Sequence, residues 1–243
     1  MRRRTGRVLV EGPQGVREAV RWAPERVRDL YVTDEAAERY AEFVEPAREQ
    51  GRYVHTVSEE VLAAMCDAET PQGVAAVVDQ APTTLAEVLA GSPRLLVLLT
   101  HVRDPGNLGT VVRAADAAGA DAVLVSAASV DLTSPKVVRS TAGSLFHLPV
   151  VTGLEIGATL AALSQAGVRS LAADGAGSRT IDESDLTAPH AWVMGNEAWG
   201  LPEEIRSACD EVLRVPIHGR AESLNLAMAS TICLYASARV QRA

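Results

Sequence analysis

Three loops hold the residues best suited to chemistry, and each follows a predicted strand. The first, 101–113, contains the tight turn Asp104-Pro105-Gly106 and then Arg113, about two turns into the helix that follows. Amide groups at a helix start and a guanidinium can converge on a phosphate. From this loop alone, a phosphate contact and an ordinary solvated arginine are equally good interpretations of Arg113.

The second loop, 193–202, leaves a buried strand through Gly195-Asn196-Glu197. Gly195 would allow a backbone to approach a ligand closely. Glu197 could carry out chemistry, or it could simply stabilise the N-terminus of the helix that begins nearby. Both interpretations stay open at this point.

The third loop, 215–229, leaves a strand at Val215 and leads into the predicted last helix. Ser223 is a routine helix cap, whereas Asn225 would be a poor residue inside the first turn. A backbone-rich loop with apolar flanks suits an adenine and a sulfonium, because neither needs a strong countercharge.

Several other classes of site lack their signatures. No G-x-G-x-x-G follows a strand, so a nicotinamide dehydrogenase, one rival interpretation, has no fingerprint. There is no phosphate-binding P-loop and no G-x-S-x-G nucleophile elbow. The histidines and cysteines show no ligand spacing, so we expect no metal.

Composition restricts the class of protein further. The 243 residues are 47% hydrophobic and 4% aromatic, so a core must be built from Ala, Val and Leu. No signal peptide and no membrane span is predicted, and three scattered cysteines fit a reducing cytoplasm. The net charge of −8 counts weakly against nucleic acid, because the placement of the cations matters more than their sum.

Hydrophobic periodicity predicts two α/β domains. Residues 1–79 form a small domain, 80–94 a linker, and 95–243 a domain with a parallel sheet. The small domain is predicted to have strands at 7–11, 27–32, 52–56 and 73–78, and helices at 14–22 and 35–49, with a capping-box spacing at Thr56 and Glu59. The large domain is predicted to have strands at 95–100, 122–125, 168–173, 191–194 and 212–215. Its predicted helices are 107–118, a short one after Ser134, 160–166, 202–209 and 223–239.

Taken in order, the three loops resemble the three motifs of the SpoU (TrmH-like) branch of the SPOUT methyltransferases. Segments 104–109, 195–202 and 215–229 carry the resemblance, with a further match at 134–143. The first 79 residues resemble, more weakly, the small SpoU substrate-binding domain through 10–12 and 71–74.

The resemblance implies an enzyme that moves a methyl group from S-adenosyl-L-methionine to a ribose 2′-hydroxyl in RNA. It implies a trefoil knot in the parallel-sheet domain, an exception to the rule against knots, and a homodimer. The donor would contact Met194, Gly195, Val215, Ile217 and Leu224. The transferred methyl and the RNA would be surrounded by Asn107, Arg113, Glu197, Ser223 and Asn225. RNA would also meet Arg2, Arg3, Arg4, Arg7 and Arg139.

The proton acceptor and the RNA remain open in this interpretation. A guanidinium keeps its proton at neutral pH, so we expect Arg113 to hold a phosphate and stabilise developing charge, while Glu197 or a phosphate oxygen accepts the proton. The two-domain layout favours 23S rRNA. The alternatives are a tRNA 2′-O-methyltransferase and a non-catalytic RNA-binding protein that retains the fold.

Overall fold

The computed structural model describes residues 6–242, so Arg2, Arg3 and Arg4 lie outside the described residues. Two compact units are present. The first comprises the described residues up to 81 together with 132–147, and the second comprises 82–131 and 148–242. The segment 132–147, which the sequence analysis places in the C-terminal domain, is therefore part of the first unit.

Eleven strands and ten α-helices are found within residues 6–242. Up to residue 81 they are β1 (Arg7–Glu11), α1 (Pro13–Trp22), β2 (Val27–Val32), α2 (Asp34–Arg39), α3 (Ala41–Glu49), β3 (Tyr53–Thr56), α4 (Glu59–Met65) and β4 (Val74–Asp79). From there to residue 154 they are α5 (Leu85–Ala90), β5 (Leu95–Leu99), α6 (Pro105–Ala118), β6 (Ala122–Ser126), α7 (Pro135–Ser140) and β7 (Val150–Leu154). The rest are α8 (Ile156–Gln165), β8 (Arg169–Ala173), β9 (Arg179–Thr180), β10 (His190–Met194), α9 (Glu203–Ala208), β11 (Glu211–Arg214) and α10 (Leu226–Gln241).

The first unit is a four-stranded mixed sheet in the order β1-β4-β2-β3. Its apolar face packs against α1 and α3 around Val10, Leu30 and Phe43. The single helix predicted over 35–49 is wrong: the chain leaves helical geometry at Tyr40, whose ring stacks on Phe43 with centroids 5.6 Å apart.

Two predicted helix starts are also corrected. Ser58, not Thr56, caps α4 by accepting a hydrogen bond from the Val61 N–H at 3.3 Å, because Thr56 still belongs to β3. Ser134 precedes α7 as expected, but its side chain makes no capping bond and Pro135 sets the helix start instead.

The second unit is a seven-stranded sheet in the order β7-β6-β5-β10-β8-β11-β9, and every pairing in it is parallel. Strand β5 (LLVLL) is buried along its whole length, as a central strand covered on both faces requires. Because parallel strands share direction, the carboxyl ends of β5, β10, β8 and β11 lie side by side. The predicted α/β class is confirmed, although the sequence analysis missed the two edge strands β7 and β9.

Segment 132–147 is joined to the rest of the first unit by a buried ion pair. Arg139 donates to Glu11 at 2.8 Å and to Asp67 at 3.0 Å, and the Glu11 side chain is only 3% exposed. Glu11 also accepts the backbone N–H groups of Asp67 and Ala68. The guanidinium of Arg139, which is predicted to contact RNA, thus donates hydrogen bonds to carboxylates of the protein itself.

Arg7, the fifth arginine predicted to contact RNA, lies at the start of β1. It pairs with Asp79 of β4 at 3.5 Å and remains largely exposed. Within residues 6–242, no helix is long and apolar enough to cross a membrane. The same residues contain no cluster of His, Cys, Asp or Glu suited to a metal ion.

Candidate active site

A cleft of about 270 Å³ opens at the carboxyl ends of β8, β10 and β11. Ligands bind at this edge in open parallel sheets. Glu197 and Ser223 line the cleft. So do all five residues predicted to contact the donor, which are Met194, Gly195, Val215, Ile217 and Leu224. Loops far apart in sequence therefore meet at one site.

Gly195 is required by the chain's own backbone. A Cβ at this position would lie 2.3 Å from the carbonyl carbon of Gly200 and 2.6 Å from the Leu201 nitrogen. A ligand is the predicted close neighbour of Gly195, whereas in the structure the closest approach is made by the turn that follows it.

Asn196, which is not among the predicted site residues, fixes that turn. Its backbone forms two hydrogen bonds of 2.9 Å with Gly200, one in each direction. Its buried side chain donates to the carbonyl of His101 at 2.6 Å and accepts from Ala198 N–H at 2.8 Å. An Asn two residues after a mostly apolar strand, with a glycine four residues later, was the available signal.

Glu197 organises the first loop. Its carboxylate accepts the backbone N–H groups of Arg103 and Asp104, each at 3.3 Å, and the side-chain amide of Asn107 at 3.2 Å. A carboxylate has about four acceptor positions, so three of them are occupied. This arrangement gives Glu197 a positioning role.

Asn107 and Asn225 continue this network in a fixed direction. The Asn225 amide nitrogen donates to the Asn107 side-chain oxygen at 3.0 Å, and the Asn107 amide nitrogen donates to Glu197. Asn225 has this orientation because its oxygen accepts the backbone N–H groups of Ala227 at 2.8 Å and Met228 at 3.3 Å. A chain of hydrogen bonds therefore runs from a helix start to Glu197.

Two helix boundaries differ from the prediction in a way that matters for the site. Helix α10 begins at Leu226 with Asn225 as its N-cap, so Ser223 lies in the loop before the helix. Helix α6 begins at Pro105, and Asp104 caps it by accepting the Asn107 N–H at 2.7 Å. Asn is among the best N-cap residues, which accounts for an amide that looked misplaced inside a helix.

Arg113 lies on α6, six residues after Asn107 and about 9 Å further along the axis. Its side chain is exposed and has neither a hydrogen bond nor an ion pair among residues 6–242. The structure thus joins Asn107, Glu197 and Asn225 directly, puts Ser223 on the cleft wall, and leaves the Arg113 guanidinium available for an external partner.

The ionisable side chains that line the cleft are all acidic, and one of them, Asp174, is paired at 3.3 Å with Arg206, which lies outside the lining. Among the described residues that line it, the ionisable side chains are Asp174, Glu197 and Glu222, with no Lys, Arg or His. Such a wall favours a positively charged ligand and disfavours the pyrophosphate of a dinucleotide. The rest of the lining is mostly glycine backbone and apolar side chains, with the polar Asn196 and Ser223, which suits a sulfonium compound with a flat heterocycle.

Comparison with known proteins agrees with this geometry. A model described as the SpoU rRNA Methylase family matches residues 94–235, and one described as RNA 2'-O ribose methyltransferase substrate binding matches residues 9–84. The chain is 33% identical to the 23S rRNA (guanosine-2'-O-)-methyltransferase RlmB of Bordetella pertussis, covering 95% of this chain and 96% of that protein.

Two further relatives extend the match. The 23S rRNA (guanosine(2553)-2'-O)-methyltransferase RlmP of Bacillus subtilis is 35% identical, over 96% of this chain and 89% of its own length. The SpoU methyltransferase AviRb of Streptomyces viridochromogenes, in complex with AdoMet, superposes with a TM-score of 0.84 at 31% identity, covering 98% of this chain and 92% of that one.

The fold, the cleft and these matches define an RNA 2′-O-ribose methyltransferase that takes its methyl group from S-adenosylmethionine. The chain belongs to the SpoU rRNA Methylase family. The predicted family, cofactor and reaction class are therefore confirmed, whereas the roles of the individual residues stay predictions.

Proposed function

We propose that this enzyme methylates the ribose 2′-hydroxyl of a guanosine in 23S rRNA. The similarity to RlmB and RlmP over nearly the whole chain, including the small domain, supports rRNA over tRNA. The observation that carries the proposal is the all-acidic cleft beside the Glu197–Asn107–Asn225 network. A non-catalytic RNA-binding protein would have no need for either feature.

The lining of the cleft suits the donor in charge and polarity. When bound, S-adenosylmethionine supplies a methyl group on a positively charged sulfur. We assign backbone contacts with it to Gly195, Val215, Ile217 and Leu224, and an apolar contact to Met194. The carboxylates of the wall favour the positive charge.

Alignment supplies much of the rate, because the methyl group is already strongly electrophilic. Asn107 and Asn225 would orient the ribose, and Glu197 would hold the loop that carries Asn107. Arg113 would bind the adjacent phosphate and stabilise the negative charge that develops on the attacking oxygen. Since three acceptor positions of Glu197 are occupied, we assign the hydroxyl proton to an RNA phosphate oxygen.

We also propose a cytoplasmic homodimer with a knotted C-terminal domain. The family membership supports the knot. Exposed apolar side chains at helical spacing on α10, Met228, Ile232 and Tyr235, support contact with a second copy. The residues 2–4 and Arg7 would grip RNA, so truncating them should weaken salt-sensitive binding.

Mapping of ribose methylation tests the proposal. Ribosomal and transfer RNA from cells with and without the gene are compared nucleotide by nucleotide, and purified enzyme is then tested on protein-free 23S rRNA with labelled donor. We expect one 23S guanosine to lose its mark and to regain it in vitro. A lost mark in tRNA would overturn the rRNA assignment. Donor binding by calorimetry without transfer to any RNA would favour a non-catalytic role.

A further inference from the structure

Trp199 lies on a hydrogen-bonded turn at the edge of the cleft, and its ring is largely exposed. The side chain is 56% exposed, although the turn that carries it is closed by two backbone hydrogen bonds between Asn196 and Gly200. Its neighbours Ala198 and Gly200 both line the cleft. The exposed indole therefore lies next to the cleft without contributing to the core.

Arg103 lies against this indole. The guanidinium carbon is 5.9 Å from the ring centroid, within the range of a cation–π contact. The backbone N–H of Arg103 is held by Glu197 at 3.3 Å. Arg103 and Trp199 thus belong to the two loops that the Glu197 carboxylate joins.

The Arg103 guanidinium has no carboxylate partner among residues 6–242. Of the nineteen arginines within residues 6–242, nine do have a carboxylate partner. The described arginines with such partners are Arg7, Arg17, Arg28, Arg39, Arg48, Arg139, Arg169, Arg179 and Arg206. A guanidinium left uncompensated beside an exposed indole suits a ligand that offers both an anion and a flat ring.

A nucleotide of single-stranded RNA has both groups. Unpaired bases stack on aromatic side chains and on guanidinium planes, and arginine forks onto phosphate oxygens. We propose that Trp199 stacks on a base of the RNA substrate next to the methylated ribose and that Arg103 binds the phosphate linked to it. The inference rests on the proposed function, because it names the substrate contacts of that same cleft.

The pair would set which nucleotide faces the methyl group. Transfer needs the hydroxyl, the methyl carbon and the sulfur in line, so a base clamped at the edge of the cleft fixes the sugar beside it. Trp199 and Arg103 would act as positioning residues, with an effect on RNA binding and none on donor binding. Stacking tolerates any base, so the pair would fix the register of the strand and leave base identity to other contacts.

Steady-state methyl transfer to protein-free 23S rRNA tests the pair. We expect Trp199→Ala to raise the KM for rRNA about 10-fold, the effect typical of removing one stacked base. Trp199→Phe, which keeps an aromatic face, should stay within about threefold of wild type. Arg103→Gln should raise the same KM and make binding less sensitive to salt. The Kd for the donor, measured by calorimetry, should be unchanged in all three variants.

Fluorescence gives a readout that does not depend on transfer. In a Trp22→Phe background, the remaining tryptophans are the buried Trp192 and the exposed Trp199. Protein-free 23S rRNA, excited at the red edge where RNA absorbs little, should quench the Trp199 emission. The matched Trp22→Phe/Trp199→Phe protein should show no such quenching.

The outcomes separate the two proposals. Quenching specific to Trp199 without any methyl transfer would support the stacking contact and overturn the proposed function. Transfer by wild type with unchanged KM and kcat in Trp199→Ala would overturn the stacking contact and leave the proposed function intact. A Trp199→Ala protein that changes oligomeric mass and loses no RNA affinity would also overturn it, because the indole would then lie between copies.

Discussion

Asn107 and Asn225 are 118 residues apart in the chain, yet their side-chain amides share a hydrogen bond of 3.0 Å whose direction is fixed at both ends. The cap on α10 fixes Asn225, and the carboxylate of Glu197 fixes Asn107. Two motifs that look independent in sequence therefore form one hydrogen-bonded unit.

The Asn225→Asp variant separates the cap from the network. Aspartate caps a helix as well as asparagine does but cannot donate to Asn107. We expect a melting temperature near wild type and a kcat lowered about 10- to 100-fold through misalignment. Asn225→Ala, the comparison variant, should show the same kcat loss and also lose about 1 kcal/mol of stability. Wild-type kcat in Asn225→Asp would show that the network has no part in transfer.

Glu197→Gln distinguishes positioning from proton transfer. Glutamine keeps one oxygen and replaces the other with an NH₂ group, so either the Arg103 N–H or the Asp104 N–H loses its acceptor, because each is bound by a different carboxylate oxygen. The first loop should therefore loosen and kcat should fall about 10- to 100-fold. The pH profile of kcat should keep its shape. Two results together would instead make Glu197 the proton acceptor: a pH profile without its acidic limb, and a decrease in kcat nearer the ~10⁴-fold upper range for a general base.

Arg113→Lys tests the assigned phosphate contact. Lysine keeps the charge but not the planar fork, so we expect kcat/KM for rRNA to fall at least about tenfold, with donor affinity unchanged. In Arg113→Ala, which also loses the charge, kcat/KM for rRNA should fall further. Near-normal transfer by the lysine variant, measured on the same rRNA, would rule out a bidentate contact.

Gly195→Ala should disrupt the cleft. The new methyl group would meet the Gly200 carbonyl carbon at 2.3 Å, and an overpacked site of this kind costs about 1–3 kcal/mol of unfolding free energy. We expect a lower melting temperature and weakened donor binding by calorimetry. Gly219→Ala is the matched control, because a Cβ there meets nothing within 4 Å. Equal behaviour of the two variants would contradict the packing argument.

His190 makes stability depend on pH. Burial lowers the pKa of His190, against a hydrogen bond to the Ala188 carbonyl that raises it, and the ring also contacts Ser237 at 2.7 Å. The unfolded chain, with a histidine pKa of about 6.5, therefore binds more protons than the native state below that pH, and stability is lost as pH falls through this window. Urea unfolding between about pH 7.5 and 5 should show a smaller decline in His190→Gln than in wild type. Parallel declines would show that His190 is not responsible.

Local patterns in the sequence were enough to place most elements and all three loops. Fully apolar runs such as 95–99 predict buried strands, and the turn at 104–106 predicts the start of α6. Edge strand β7 was not predicted, because it is partly exposed and contains Gly153. Its sequence therefore shows neither a continuous apolar run nor clean alternation. The cleft-lining residues after β10 and β11 were found because strand ends and loop glycines are themselves local signals.

Only the tertiary structure decided what the polar side chains do. Asn225 is a helix cap and a hydrogen-bond donor. Glu197 binds the backbone of a loop 93 residues away, and Arg139 forms an ion pair with Glu11. Each of these outcomes depends on a partner distant in sequence. Charge and hydrogen bonding act over a few ångströms of space, and sequence spacing alone does not measure that distance.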